Sequence, residues 1–224
     1  MSYAPPAAVV VVTGDVVASR RYLDTAGLLA GLDAALATVD AAEPGLLPLR
    51  RTDRDVFRGS YPDIGVAAAA VLRLRLASDG LVLTTHSGAE EAVELRLGIG
   101  IGPAATASYL AAAALAEAEE LPASRRWPAS LRSRCRAADP VLQGAINAHL
   151  LLQDQLLARL DARDRRALMG LLDGERQVDV AASLGVSQPA IARRIRVRGS
   201  LALHRALLEL QGATRTPDTG AEGI

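Results

Sequence analysis

The sequence predicts an α+β fold, an antiparallel sheet with helices on one face, followed by an all-α unit. Three observations carry this. Residues 9–13 are four valines and a threonine stopped by Gly14, a short β-branched run typical of a buried strand. Residues 93–101 alternate Val93, Leu95, Leu97, Ile99 and Ile101 with Glu94, Arg96, Gly98 and Gly100, the two-residue period of a strand. From Asp139 onward apolar residues return at helical spacing instead.

The remaining elements follow in order. A helix beginning near Asp24 or Thr25 places Leu28, Leu29, Leu32, Leu36 and Val39 on one face and ends at Pro44-Gly45. Residues 46–51 and 55–58 make two short strand segments around the polar turn Thr52-Asp53-Arg54. A second helix, about 63–77, buries Ile64, Ala67, Ala68, Val71, Leu72 and Leu76. Residues 81–85 form a strand, separated from 93–101 by the loop HSGAEEA, and an alanine-rich helix covers about 106–120. The glycines of GIGIG sit in a strand pattern, so they mark close approach of a helix or a ligand to the sheet. Residues 120–140, rich in proline and arginine, read as a linker or loop, and Asp139-Pro140 caps the helix that follows. The expected units are an α+β domain over 1–135, a helical domain over 136–211, and a disordered tail over 212–224.

Composition narrows the chemistry. Acids and bases balance at 25 each, so net charge names no partner. The chain contains no lysine, which removes Schiff-base chemistry and the Gly-Lys-Ser/Thr phosphate loop. A single cysteine, Cys135, and three dispersed histidines argue against an internal disulfide and against zinc. With no signal-peptide pattern and no apolar run of membrane-spanning length, a cytoplasmic protein making no membrane contact is expected.

The most specific local pattern is GERQVDVAASLGVSQPAIARRIRVRG, residues 174–199, which reads as a helix-turn-helix. Ala181 is small where two helices cross, Gly185 permits a positive-φ turn, Ser187 caps the second helix, and Ile191 and Ile195 anchor it. Its outward face offers Ser187, Gln188, Arg193, Arg194, Arg196 and Arg198 to duplex DNA, and one such unit would need a homodimer to bind well.

With that motif placed, GDVVASR (14–20), DVFRG (55–59) and LRLGIGIG (95–102) together resemble the SatD family of bacterial proteins. The middle motif departs from the family's GDEFQG: Arg54, Val56 and Arg58 replace its first glycine, its glutamate and its glutamine. The arrangement is also similar to the ferredoxin-like core of nucleotidyl cyclases and diguanylate cyclases. That resemblance implies a carboxylate pair, Asp15 and Asp55, binding Mg2+ and a nucleotide, with Arg20 and Arg21 facing phosphates. The resulting expectation is a DNA-binding transcription regulator whose dimerising amino-terminal domain senses a nucleotide or small ligand, with Asp15, Arg20 and Asp55 as binding residues and no catalytic residue assigned. The alternative is a Mg2+-dependent nucleotidyl cyclase-type enzyme fused to a DNA-binding domain.

Overall fold

In the computed structural model, which describes residues 8–214, the valine strand β1 (Val9–Val16) takes the centre of a five-stranded sheet. Helix α1 (Thr25–Ala42) leads to the antiparallel pair β2 (Leu47–Arg51) and β3 (Phe57–Tyr61), and α2 (Ile64–Asp79) follows. A separate hairpin of β4 (Val82–Thr84) and β5 (Glu90–Ala92) precedes β6 (Leu95–Gly102). Helix α3 (Ala104–Glu120) and strand β7 (Ser133–Ala137) complete the sheet, whose order is β2-β3-β1-β6-β7. β1 runs antiparallel to both β3 and β6, and only β7 lies parallel to its neighbour. Without the small hairpin, β1-α1-β2-β3-α2-β6 is the split βαβ arrangement of ferredoxin-like folds.

The alternation in the strands sets the layers. Val10, Val12 and Val16 of β1, Phe57 and Tyr61 of β3, and Leu95, Leu97 and Ile99 of β6 point to one face, where they meet Leu28, Leu32, Leu36 and Val39 of α1. The opposite face is not bare, which corrects the expectation of helices on one face. There α3 lies on β6, and Val11 of β1 packs against Ala107 and Ala111. Gly98 and Gly100 are the physical reason, since a Cβ on either would collide with backbone atoms of α3.

Residues 120–140 contain more than a linker. β7, read SRCRA, pairs in parallel with β6 and buries Cys135 completely. Its outward residues Arg134 and Arg136 both pair with Glu117 of α3, so the arginines that disguise the strand are neutralised by the helix above it. The boundary drawn between residues 135 and 136 therefore falls inside a strand.

The helical part comprises α4 (Pro140–Leu157), α5 (Ala162–Leu172), α6 (Gln177–Ser183), α7 (Gln188–Val197) and α8 (Ser200–Thr214). Residues 212–214 of the expected tail belong to α8, and the rest of that expectation lies outside the described residues. α4 packs on the sheet beside β7. Asp154, fully buried, accepts from the amides of Arg132 and Ser133 at 2.7 Å each, holding the strand in place. On its outer side α2 sends Ala68, Ala69, Leu72 and Leu76 into a second core with Leu157, Leu160, Leu168, Leu203 and Leu207. The two expected units thus share a buried interface, with α2 enclosed between them.

Helix α1 is the one described helix long and apolar enough, by length and composition, to cross a membrane (18 residues, mean hydropathy 1.3). This corrects the expectation that no apolar run reaches that length. Asp33 and Asp40 are its only charged residues, and its four largest buried side chains line the main core.

Candidate functional site

At the carboxyl end of β1, a cleft of about 420 Å3 opens between the sheet and the carboxyl end of α3. Its walls bring together Asp15 from β1, Arg20 and Arg21 from a 3₁₀ turn (Ser19–Arg21), Asp55 from the β2–β3 turn, Arg96 from β6 and Glu119 from α3. The sequence pattern dictates each placement. Asp15 follows the in-out alternation of the valines and so emerges on the face opposite the main core. Gly14 leaves room for the Phe57 ring and the Arg96 carbonyl, both of which a Cβ would strike. Ala18 then turns the chain in the left-handed region (φ 48°), the only non-glycine residue with positive φ among those described. The β2–β3 turn closes on the Val56 carbonyl, which accepts from Thr52 N at 2.9 Å and Asp53 N at 3.2 Å.

The register of β1 against β6 sets Arg96 directly opposite Asp15. Its guanidinium forms a two-pronged contact, Nε to Oδ1 at 2.9 Å and Nη2 to Oδ2 at 3.0 Å, and its third nitrogen reaches Glu119. Burial pushes the Asp15 carboxyl above its ordinary value; the hydrogen bonds and charge of Arg96 oppose the shift, and the charges of Glu119 and Asp55 add to it. Arg21 is engaged elsewhere: it pairs with Glu91 at 2.9 Å and donates to the Tyr22 hydroxyl at 2.9 Å. Arg20 makes no ion pair among the described residues and remains available at the cleft.

Asp15, Arg20 and Asp55, the ligand residues expected from the sequence, do meet in one place. Arg96 and Glu119 were not expected. The signal for Arg96 was its polar position in an otherwise apolar and glycine strand, but only strand register reveals that it faces Asp15. The metal expectation rests on Asp15 and Asp55 alone, since no group of three or more His, Cys, Asp or Glu residues suited to a metal occurs among the described residues.

The expected DNA-reading residues lie on α7, joined to α6 by a turn in which Gly185 takes φ 64°. Ile191 and Ile195 are buried against Ala167, Val180 and Ala181, as the spacing requires. The basic face is partly spent inside the protein. Arg194 donates to Asp164 at 2.8 Å and pairs with Asp161, and Arg198 reaches Asp164 at 3.4 Å. Gln188 bonds Gln177 at 3.3 Å, and Ser187 occupies the cap position without a side-chain cap bond. Arg193 and Arg196 are left exposed.

No family model and no curated protein matches this chain. Similar solved structures are diguanylate-cyclase domains. The GGDEF domain of DgcB from Caulobacter crescentus, in complex with c-di-GMP, is 18% identical at a TM-score of 0.41, covering 58% of this chain and 78% of that one. Diguanylate cyclase SiaD from Pseudomonas aeruginosa, in complex with its activator SiaC, is 18% identical at 0.43, covering 59% of this chain and 50% of that one. The GGDEF domain of PA1120 from P. aeruginosa is 14% identical at 0.44, covering 59% and 83%. At these values the likeness concerns backbone arrangement only.

The expectation of a DNA-binding transcription regulator, partnered by duplex DNA, is corrected on two findings. These similar structures are cyclase domains, with c-di-GMP or a protein activator as their named partners. Within this chain, Asp161 and Asp164 neutralise Arg194 and Arg198, two of the four arginines from which a DNA-facing surface was read.

Proposed function

We propose that this chain is a nucleotidyl-cyclase-like protein that binds the phosphates of a nucleoside triphosphate, with Mg2+, in the cleft between Asp15 and Asp55. The convergence of Asp15, Asp55 and the unpaired Arg20 in one cleft is the observation that carries the reading. The SatD-family resemblance belongs to the same proposal.

The residues fit a magnesium ion that arrives with its nucleotide. Magnesium needs only one or two carboxylates beside phosphate oxygens and water. Arg96 uses one bond on each Asp15 oxygen, leaving each a free lone pair, and Asp55 adds a second carboxylate. Bound there, the ion would withdraw charge from phosphate oxygens and favour displacement at phosphorus. The protein's own contributions are positional: Arg96 orients Asp15, and Arg20 grips phosphate oxygens.

Calorimetric titration with the four triphosphates tests binding. Mg2+-dependent affinity is expected, weakened about tenfold, or about 1.4 kcal/mol, by Asp55→Asn. Arg20→Ala should weaken binding with and without the metal. No Mg2+-dependent binding of any triphosphate would overturn the proposal. Val56, standing where the resembled motif has glutamate, favours a second reading in which the nucleotide is bound without turnover. Chromatography of the bound nucleotide separates the two, since a cyclic or dinucleotide product lost in Asp15→Asn marks the enzyme.

A further inference from the structure

The outer face of the sheet carries a second feature, at its other edge. α3 covers β6, β7 and part of β1, leaving β2 and β3 uncovered on that side. There a groove of about 350 Å3 runs beside Ser108 of α3, with Leu47 and Pro48 along one wall and Thr52 at its end. It shares no lining residue with the Asp15 cleft.

Arg50 and Arg58 project into this groove. They are direct cross-strand partners in the β2–β3 ladder, and both are exposed. Neither makes an ion pair or a side-chain hydrogen bond among the described residues. The contrast with the rest of the chain is informative. Arg51, the next residue, is held by Asp33 on the opposite face at 2.6 Å, and Arg96, Arg132, Arg134 and Arg136 of the same sheet region all have carboxylate partners. Like charges placed opposite each other on a sheet repel and destabilise it. A protein that neutralises its other sheet arginines leaves this pair open, in a concave setting with hydroxyls at Thr52, Ser60 and Ser108.

We propose that Arg50 and Arg58 form a second anion site, one that binds a phosphate monoester without a metal. Two guanidiniums present forked donors matched to phosphate oxygens, and phosphate would replace their mutual repulsion with attraction to a shared dianion. Thr52 and Ser108 supply further donors, while Leu47, 65% exposed, and Pro48 offer an apolar wall to the organic part of the ester. The volume is sufficient for a nucleotide-sized molecule. This inference does not rest on the function proposed for the Asp15 cleft.

The test uses the whole protein in EDTA, so that metal-dependent binding is silent. Adenosine monophosphate and inorganic phosphate are titrated separately by calorimetry and by NMR of the arginine side chains. Adenosine monophosphate is expected to bind and to shift Arg50 and Arg58, with affinity lowered more than tenfold by Arg50→Ser with Arg58→Ser and unchanged by Arg20→Ala, which removes the metal-independent phosphate contact of the Asp15 cleft. Inorganic phosphate binding more weakly identifies an ester as the ligand; equal or tighter binding of inorganic phosphate would show that the organic part is not recognised and overturn the ester assignment. Loss of binding in Arg20→Ala but not in the Arg50→Ser with Arg58→Ser variant would overturn the second site. The arginine variant should also keep or raise its urea midpoint, because removing the pair relieves repulsion. A lowered midpoint would mark the arginines as structural and overturn the inference.

Discussion

Asp154 shows how one buried carboxylate decides the placement of a strand. Its oxygens accept from Arg132 N, Ser133 N and Ser133 Oγ, and the guanidinium of Arg75 lies 3.6 Å away. Burial drives its carboxyl above the ordinary range against the pull of Arg75 and those donors. Asp154→Ala would orphan two amides and take from the buried Arg75 its ion-pair partner, so a loss of about 3–5 kcal/mol is expected in urea unfolding. One turn before it on α4, burial holds the His149 imidazole below its ordinary pKa of 6.5. The folded chain then binds this proton less readily than the unfolded chain. The stabilising contribution is complete above pH 6.5 and is lost as pH falls through the lowered folded value. Thermal melts of the parent should therefore weaken below pH 6.5, and His149→Gln should flatten that part of the profile. At the candidate site, Asp15, Arg20 and Asp55 were legible because short motifs carry them. Arg96 was not, because its role depends on which residue stands opposite it across the ladder, a partner 81 positions away in the sequence.

At the scale of elements, β6 and α3 form the tightest pairing in the fold. Gly100 lets the Ala107 and Ala111 turns of α3 rest on the strand itself. Gly100→Ala must push a helix backbone away from a sheet backbone, since no flexible side chain can yield. A cost of about 3 kcal/mol or more is expected, read as a lowered urea midpoint with the slope unchanged. Period-two alternation made β1 and β6 plain from sequence, and leucine spacing did the same for α1. β7 escaped because two of its five residues are arginines, and their cover, Glu117, sits a whole element upstream. Ala68, Leu72 and Leu76 were legible as buried, but the burial of α2 on nearly every side escaped for a related reason. Arg73 and Arg75 interrupt its apolar pattern, yet both are buried, Arg73 against Glu43, Asp173 and the Leu172 carbonyl.

For the molecule as a whole, those contacts join what the sequence presented as two units. Arg73 and the pair Arg165–Asp79 at 2.7 Å tie α2 to the helical half, around the leucines that α4, α5 and α8 contribute. One cooperative unfolding transition is expected rather than two. Trp127, the sole tryptophan, sits beside Arg134 at the sheet end, while circular dichroism at about 222 nm reports mainly on helices. The two signals should give the same urea midpoint. Separate midpoints would show halves that unfold independently.

The enclosure of α2 also bears on how this chain can vary. Most residues of α2 touch either the sheet or the helical half, and nearly all are buried, from Gly65 through Ser78. A change that suits one neighbour must suit the other as well, so improvements made for each side separately will conflict. Ala67, Ala68, Ala69 and Ala70 have room for little beyond a methyl group. In a saturation library, α2 should accept the fewest replacements of any described helix, and grafting the carboxyl-terminal helices onto another sheet would require α2 to travel with them.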